Sequence, residues 1–162
     1  MLGFFFSKMS KIKNNILGIK KKLLDQSHGV NRVDLMAVSK SQSIENICEA
    51  YNAGQRIFGE NYLQEAIKKI QKINYQDIEW HFIGPIQSNK CKLIAENFSW
   101  VQSIDRIKIA SRINDHRTLM PPMNICIQVN ISNEESKGGV NLNDLESFIS
   151  EMKSFDNLKL RG

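Results

Sequence analysis

The chain has 162 residues, 41% hydrophobic and 24% charged, with a formal net charge of +5. That is enough for one domain with a real core, and the balance is that of a globular protein, not a disordered one. No apolar run approaches the roughly 20 residues of a membrane span, Leu2-Gly3-Phe4-Phe5-Phe6 is too short for a signal-peptide core, and three cysteines without a CxxC suit a reducing cytoplasm.

Residues 1–9 are expected to be unstructured. From Lys8 to Lys22 the pattern is that of an amphipathic helix. Ile12, Ile16, Ile19 and Leu23 share one face, with Lys11, Lys13, Lys20, Lys21 and Lys22 mostly off it. A basic face can meet an anionic surface, but no aromatic interleaving or nucleic-acid motif accompanies it. A helix packed on the domain with a solvated basic face is expected, with neither nucleic acid nor membrane as partner.

Strands and helices then alternate. The apolar run Val33 to Ser39 ends at Lys40. Ser43 is placed to cap a helix through Asn52, and Gly54 to stop it. Arg56 to Gly59 is a second strand and Tyr62 to Lys72 a second helix. Glu79 to Ile83 is a third strand, closed by Gly84-Pro85, and Lys90 to Asn97 is helical. Trp100 to Ile104 is a fourth strand, after which Asp105 is expected to cap a helix to about Asn114. Asn124 to Asn130 is a fifth strand and Asn141 to about Ser154 a helix. A sixth strand begins at Leu158.

Such alternation argues for a parallel sheet with crossover helices. Polar residues follow nearly every strand: Lys40, Glu60-Asn61, Gln87 to Asn89, Asp105, Asn133 to Lys137. A barrel gathers all its strand ends at one mouth, whereas an open sheet concentrates function at one switch point. A (β/α)8 TIM-type barrel is therefore expected, as a single domain over residues 1–162. It is expected to be incomplete, with about six strands of eight and its C-terminal part missing, because such barrels need roughly 200 residues or more.

Lys40 is the leading functional candidate. A lysine at the C-terminal lip of a buried strand is open to desolvation, which favours the neutral amine that Schiff-base chemistry uses. The competing reading is a strand-end lysine snorkelling to solvent. Strand alternation places Met36, Val38 and Lys40 on one face. Other motifs fail. There is no GxGxxG, Gly84 to Lys90 lacks the glycine that precedes a phosphate-loop lysine, and His28, His81 and His116 have no metal-ligand spacing.

The strand ends read AVSK (37–40), AYNAGQRIFGENYLQE (50–65), WHFIGPIQSNK (80–90), VQSID (101–105) and VNISNEESKGG (129–139). In that order they closely resemble the pyridoxal 5′-phosphate homeostasis protein family, which is similar to the N-terminal barrel domain of alanine racemase standing alone. The resemblance runs from about Val33 to Gly162. It implies pyridoxal 5′-phosphate held as a Schiff base on Lys40 by a non-catalytic, cytoplasmic, monomeric protein that buffers the cofactor or delivers it to apo PLP enzymes. Asn61 is a candidate contact to the cofactor's phenolic oxygen or ring substituents, and His81 a candidate against its ring. Lys137, beside Gly138-Gly139, is a weaker candidate for an anionic ligand. The phosphate loop of family members, and an arginine near the pyridine nitrogen, correspond to positions past Gly162, so weak cofactor binding is expected. The alternatives are a PLP-dependent racemase or lyase and an inactive fragment. Ser41 to Ile44 stand where the racemases carry a tyrosine-bearing AYGH segment, which argues against the first.

Overall fold

The structure is a computed structural model that describes residues 10–26, 33–132, 134 and 136–162; the expectation for residues 1–9 falls outside them. In chain order the elements are α1 (Lys11–Gln26), β1 (Met36–Val38), α2 (Ile44–Asn52), β2 (Ile57–Glu60), α3 (Leu63–Lys72), β3 (Glu79–Phe82), α4 (Cys91–Asn97), β4 (Trp100–Ile104), α5 (Ile107–His116), β5 (Met123–Ile127), β6 (Val129–Asn130), β7 (Val140–Asn141), α6 (Leu145–Met152) and β8 (Leu158–Leu160). Six strands form one sheet in the order β1-β2-β3-β4-β5-β8, and β6 pairs with β7 separately. Every pairing is parallel. The architecture is a six-stranded parallel α/β sheet with crossover helices, as the alternation predicts.

Side chains alternate across each strand, so the sheet has two distinct faces. One carries Phe58 in register with Trp80, and Phe82 with Val101 and Ile125. All five are buried, together with Ile47, Ala66, Ile94, Ile109 and Ile113 from the helices. Each fully buried Phe, Ile or Val side chain stabilises the fold by about 1.5–3 kcal/mol. The other face carries Val38, Gly59, His81, Trp100, Asn124 and Lys159 as one registered row. It corresponds to the inside of a barrel wall and is more open to solvent. Val38 at 48% relative exposure shows this.

Local signals explain both ends of α2. The Ser43 hydroxyl accepts the Asn46 N–H at 3.3 Å and caps α2, and Gly54 turns the chain away at φ +86°. Other expectations need correcting. Asp105 does not cap α5. Arg106 is the N-cap residue, without a side-chain bond, and the Asp105 carboxylate accepts instead from Arg106 Nε at 2.9 Å. The fifth strand breaks at Gln128, whose N–H turns to the Ile104 carbonyl at 2.8 Å. The last helix begins at Leu145, not Asn141, because residues Leu142–Asp144 form a 3-10 turn. On α1, Ile16 is buried but Ile19 is 44% exposed. Lys20 takes the inward position, its amine donating to the Gly54 carbonyl at 2.6 Å.

Candidate functional site

Lys40 sits at the corner of a tight turn. The Gln42 N–H donates to the Ser39 carbonyl at 3.0 Å, closing a four-residue turn in which Lys40 is the second residue and Ser41 the third. Ser41 has φ +59° and is the one non-glycine residue with positive φ among the described residues. That sign at the third position is what a type II turn requires, and glycine is usual there. A serine held so costs on the order of 1–2 kcal/mol, so the surroundings must hold it. Ser39 is buried, and its N–H donates to Gly59 O at 2.9 Å. Lys40 itself is exposed, not buried as its strand-end position suggests, because the inner face of this sheet is uncovered.

Beneath the turn lies a buried ionic cluster that sequence reasoning missed. Lys69 of α3 is 5% exposed and Glu60 of β2 is fully buried. The Lys69 amine donates to Glu60 Oε1 at 2.8 Å, Glu65 Oε1 at 2.5 Å and the Ser39 carbonyl at 2.7 Å. The Ser39 hydroxyl donates to Glu60 Oε1 at 2.6 Å, and the Ser41 N–H donates to Glu65 Oε1 at 2.7 Å. The Glu65 carboxyl is held below its ordinary range, first by the Lys69 hydrogen bond and further by the Ser41 N–H, against the opposing cost of partial burial. The Glu65/Lys69 pair was visible as an i,i+4 spacing. The part played by Glu60 was not, since it depends on which strand β1 lies beside.

Asn61 lies two residues beyond Gly59, as Lys40 lies two beyond its register partner Val38. Strand continuity therefore brings Lys40 and Asn61 to the same lip of the sheet. Asn61 Oδ1 is buried without a hydrogen-bond partner, an arrangement that normally costs free energy and leaves an acceptor for a ligand hydroxyl or N–H. The loop after β3 closes tightly over it. A Cβ on Gly84 would stand 2.1 Å from the Asn61 carbonyl oxygen, so only glycine fits. The Ser103 hydroxyl donates to the Gly84 carbonyl at 2.6 Å and pins the loop.

His81 lies one layer deeper and is 4% exposed. Its Nε2 lies 2.8 Å from Glu79 Oε1 and its Nδ1 lies 2.9 Å from Gln102 Nε2. An amide N–H can only donate, so Nδ1 accepts and Nε2 carries the proton. The ring stacks on Trp100 with centroids 5.0 Å apart and planes 8° apart. Arg161 lies 6.0 Å above that indole and donates from Nε to Asn124 Oδ1 at 2.7 Å. Both His81 nitrogens are thus engaged within the protein.

Burial pushes the His81 pKa below 6.5, outweighing the Glu79 hydrogen bond and charge that would raise it. The folded state therefore takes up this proton less readily than the unfolded chain. The resulting stability is complete above about pH 6.5 and declines as pH falls below that value. Because the imidazolium quenches a stacked indole, tryptophan emission should drop on acidification with a midpoint below 6.5. His81→Gln should remove that step. A midpoint above 6.5, or an unchanged step in His81→Gln, would contradict the assignment.

Lys137, in the β6–β7 loop, is ion-paired with Glu134 at 2.9 Å and largely exposed. Gly139, at φ +137°, takes a conformation that a side chain would strain, since a Cβ there would stand 2.6 Å from Asn130 N. Among the described residues no group of three or more His, Cys, Asp or Glu could hold a metal ion.

Comparison with known proteins identifies the family and the fold. The family model for the alanine racemase N-terminal domain matches residues 8–162. The pyridoxal phosphate homeostasis protein of Escherichia coli K12 is 43% identical over 162 residues, spanning 95% of this chain and 69% of that protein. The structure of PipY from Synechococcus elongatus PCC7942 without PLP superposes with a TM-score of 0.85 at 32% identity, covering 94% of this chain and 69% of PipY. PipY with PLP bound gives 0.81 at 30% identity, covering 94% and 68%. Alanine racemase of Corynebacterium glutamicum, at 18% identity and a TM-score of 0.70 over 93% of this chain and 42% of that one, shares the fold.

Proposed function

This chain belongs to the pyridoxal phosphate homeostasis protein family, within the alanine racemase N-terminal domain family, and on that premise we propose that it binds pyridoxal 5′-phosphate through Lys40 to store or deliver the cofactor without turning over a substrate. The observation that carries this reading is the built turn at the end of β1. An exposed amine projects there from a backbone fixed on both sides. When bound, PLP supplies an aldehyde that condenses with a primary amine. The residues present fit that group. Lys40 offers the amine, and the unpaired Asn61 Oδ1 offers a buried acceptor at the same lip. His81, satisfied by Glu79 and Gln102, backs the inner face and holds Trp100 in place.

A storage or delivery role is supported by the names of the relatives and by the PLP-bound PipY structure. The partners of this reading are PLP and apo PLP enzymes, with a monomer in the cytoplasm as the working state. The free thiols of Cys48, Cys91 and Cys126 are in keeping with that compartment. Among the described residues no helix is long and apolar enough to cross a membrane. The function is tested by loading the chain with PLP, removing free cofactor and adding an apo PLP enzyme. Reactivation that follows the protein-bound cofactor, with no amino-acid racemisation by the loaded chain alone, is expected. Racemisation that depends on Lys40 would replace this reading with a catalytic one.

A further inference from the structure

A reactive lysine on an exposed turn loses selectivity if the turn moves, and the turn here is held from below. Three bonds fix the backbone on both sides of Lys40. The Ser39 carbonyl accepts from Lys69 Nζ at 2.7 Å, the Ser39 hydroxyl donates to Glu60 Oε1 at 2.6 Å, and the Ser41 N–H donates to Glu65 Oε1 at 2.7 Å. Lys69 ties both carboxylates together, at 2.8 and 2.5 Å. Glu60 is completely buried and Lys69 nearly so, whereas Glu65, at 33% exposure, carries the cluster up to the turn. It holds a serine at φ +59°, a conformation that this residue does not choose unaided.

We infer that Glu60, Lys69 and Glu65 are positioning residues for Lys40, a clamp whose work is to hold the Ser39–Gln42 turn so that the Lys40 amine meets its aldehyde partner from one fixed direction. The inference rests on the reading of Lys40 as the cofactor anchor. A purely structural ion cluster has no reason to bond to the backbone immediately before and immediately after a single exposed lysine. Here four of the five hydrogen bonds within the cluster end on Ser39, Ser41 or the carboxylate that Ser39 shares with Lys69.

Glu65 is the place to test it. Its side chain is 33% exposed, so its removal leaves the core intact. Glu65→Gln retains an oxygen acceptor for the Ser41 N–H, whereas Glu65→Ala does not. Three readouts are compared between these variants and the parent chain. They are Ser41 amide exchange, the share of formaldehyde-driven reductive methylation falling on Lys40, and the share of borohydride-trapped PLP on Lys40 after peptide mapping.

In Glu65→Ala, Ser41 exchange should quicken by about tenfold, as expected for a lost charge-assisted bond, and the trapped PLP should spread to other lysines. Glu65→Gln should restore both while melting at the same temperature as Glu65→Ala. Equal Lys40 selectivity in the two variants would overturn the clamp. The failure of the anchor reading looks different, because trapped PLP would then miss Lys40 in the parent chain as well. In that event the formaldehyde readout, which needs no cofactor, decides on the clamp alone. A Lys40 methylation share that moves in Glu65→Ala and is restored in Glu65→Gln supports it, and one that does not move overturns it.

Discussion

Replacing Lys40 by arginine or alanine is expected to lower PLP retained on desalting by more than about tenfold, since the one covalent link is removed. The two variants separate causes. Arginine keeps the positive charge and so keeps any attraction for the phosphate, but it does not form the carbon–nitrogen double bond under these conditions. If the charge alone held the cofactor, Lys40→Arg would bind like the parent and Lys40→Ala would not. With a covalent link, both variants lose the near-ultraviolet absorbance that develops when PLP condenses with an amine. Because the Lys40 side chain is exposed and makes no part of the core, neither substitution should alter the melting profile by more than about 0.5 kcal/mol.

A second large effect concerns the sheet. Among the described residues, β1 and β8 each pair on one side only. The inner face presents Val38 at 48% exposure and leaves Lys159 and Arg161 open to solvent. Parallel sheets are normally covered on both faces, and an unpaired edge is a template for further strands. A polypeptide of these 162 residues is therefore expected to melt broadly, at a temperature below the usual mesophile range of about 45–65 °C, and to aggregate on heating. Calorimetry with light scattering checks this. A sharp, reversible, concentration-independent transition of a monomer would show that the six strands suffice for a closed cooperative unit.

The strand–helix alternation, and with it the barrel wall, was legible in the sequence because each buried strand is a short apolar run ended by a polar residue. Phe58, Trp80, Phe82, Val101 and Ile125 all face the helices as period-2 alternation dictates. Lys40 and Asn61 were legible as strand-end residues, and the structure brings them to one lip. The Ser39–Glu60–Lys69 contact was not, for a physical reason. Sequence periodicity gives the face on which Glu60 lies, but the β1–β2 register decides which backbone it meets. The pairing of His81 with Gln102 is likewise a product of β3 lying beside β4. Asp105 misled because a carboxylate before a helix is a good cap only if no guanidinium competes, and Arg106 is adjacent. Lys20 misled because a lysine can turn its amine to a helix-end carbonyl while its stem packs inward.

Everything proposed for this chain turns on Lys40 being the residue to which the cofactor is bonded. The direct measurement is a peptide map of the parent chain after brief incubation with PLP at low molar excess and reduction with borohydride. The pyridoxyl mass is expected overwhelmingly on the peptide that carries Lys40, although Lys11, Lys13, Lys21 and Lys22 of α1 are exposed as well. Label distributed over those α1 lysines in proportion to their exposure, with no excess at Lys40, would contradict it.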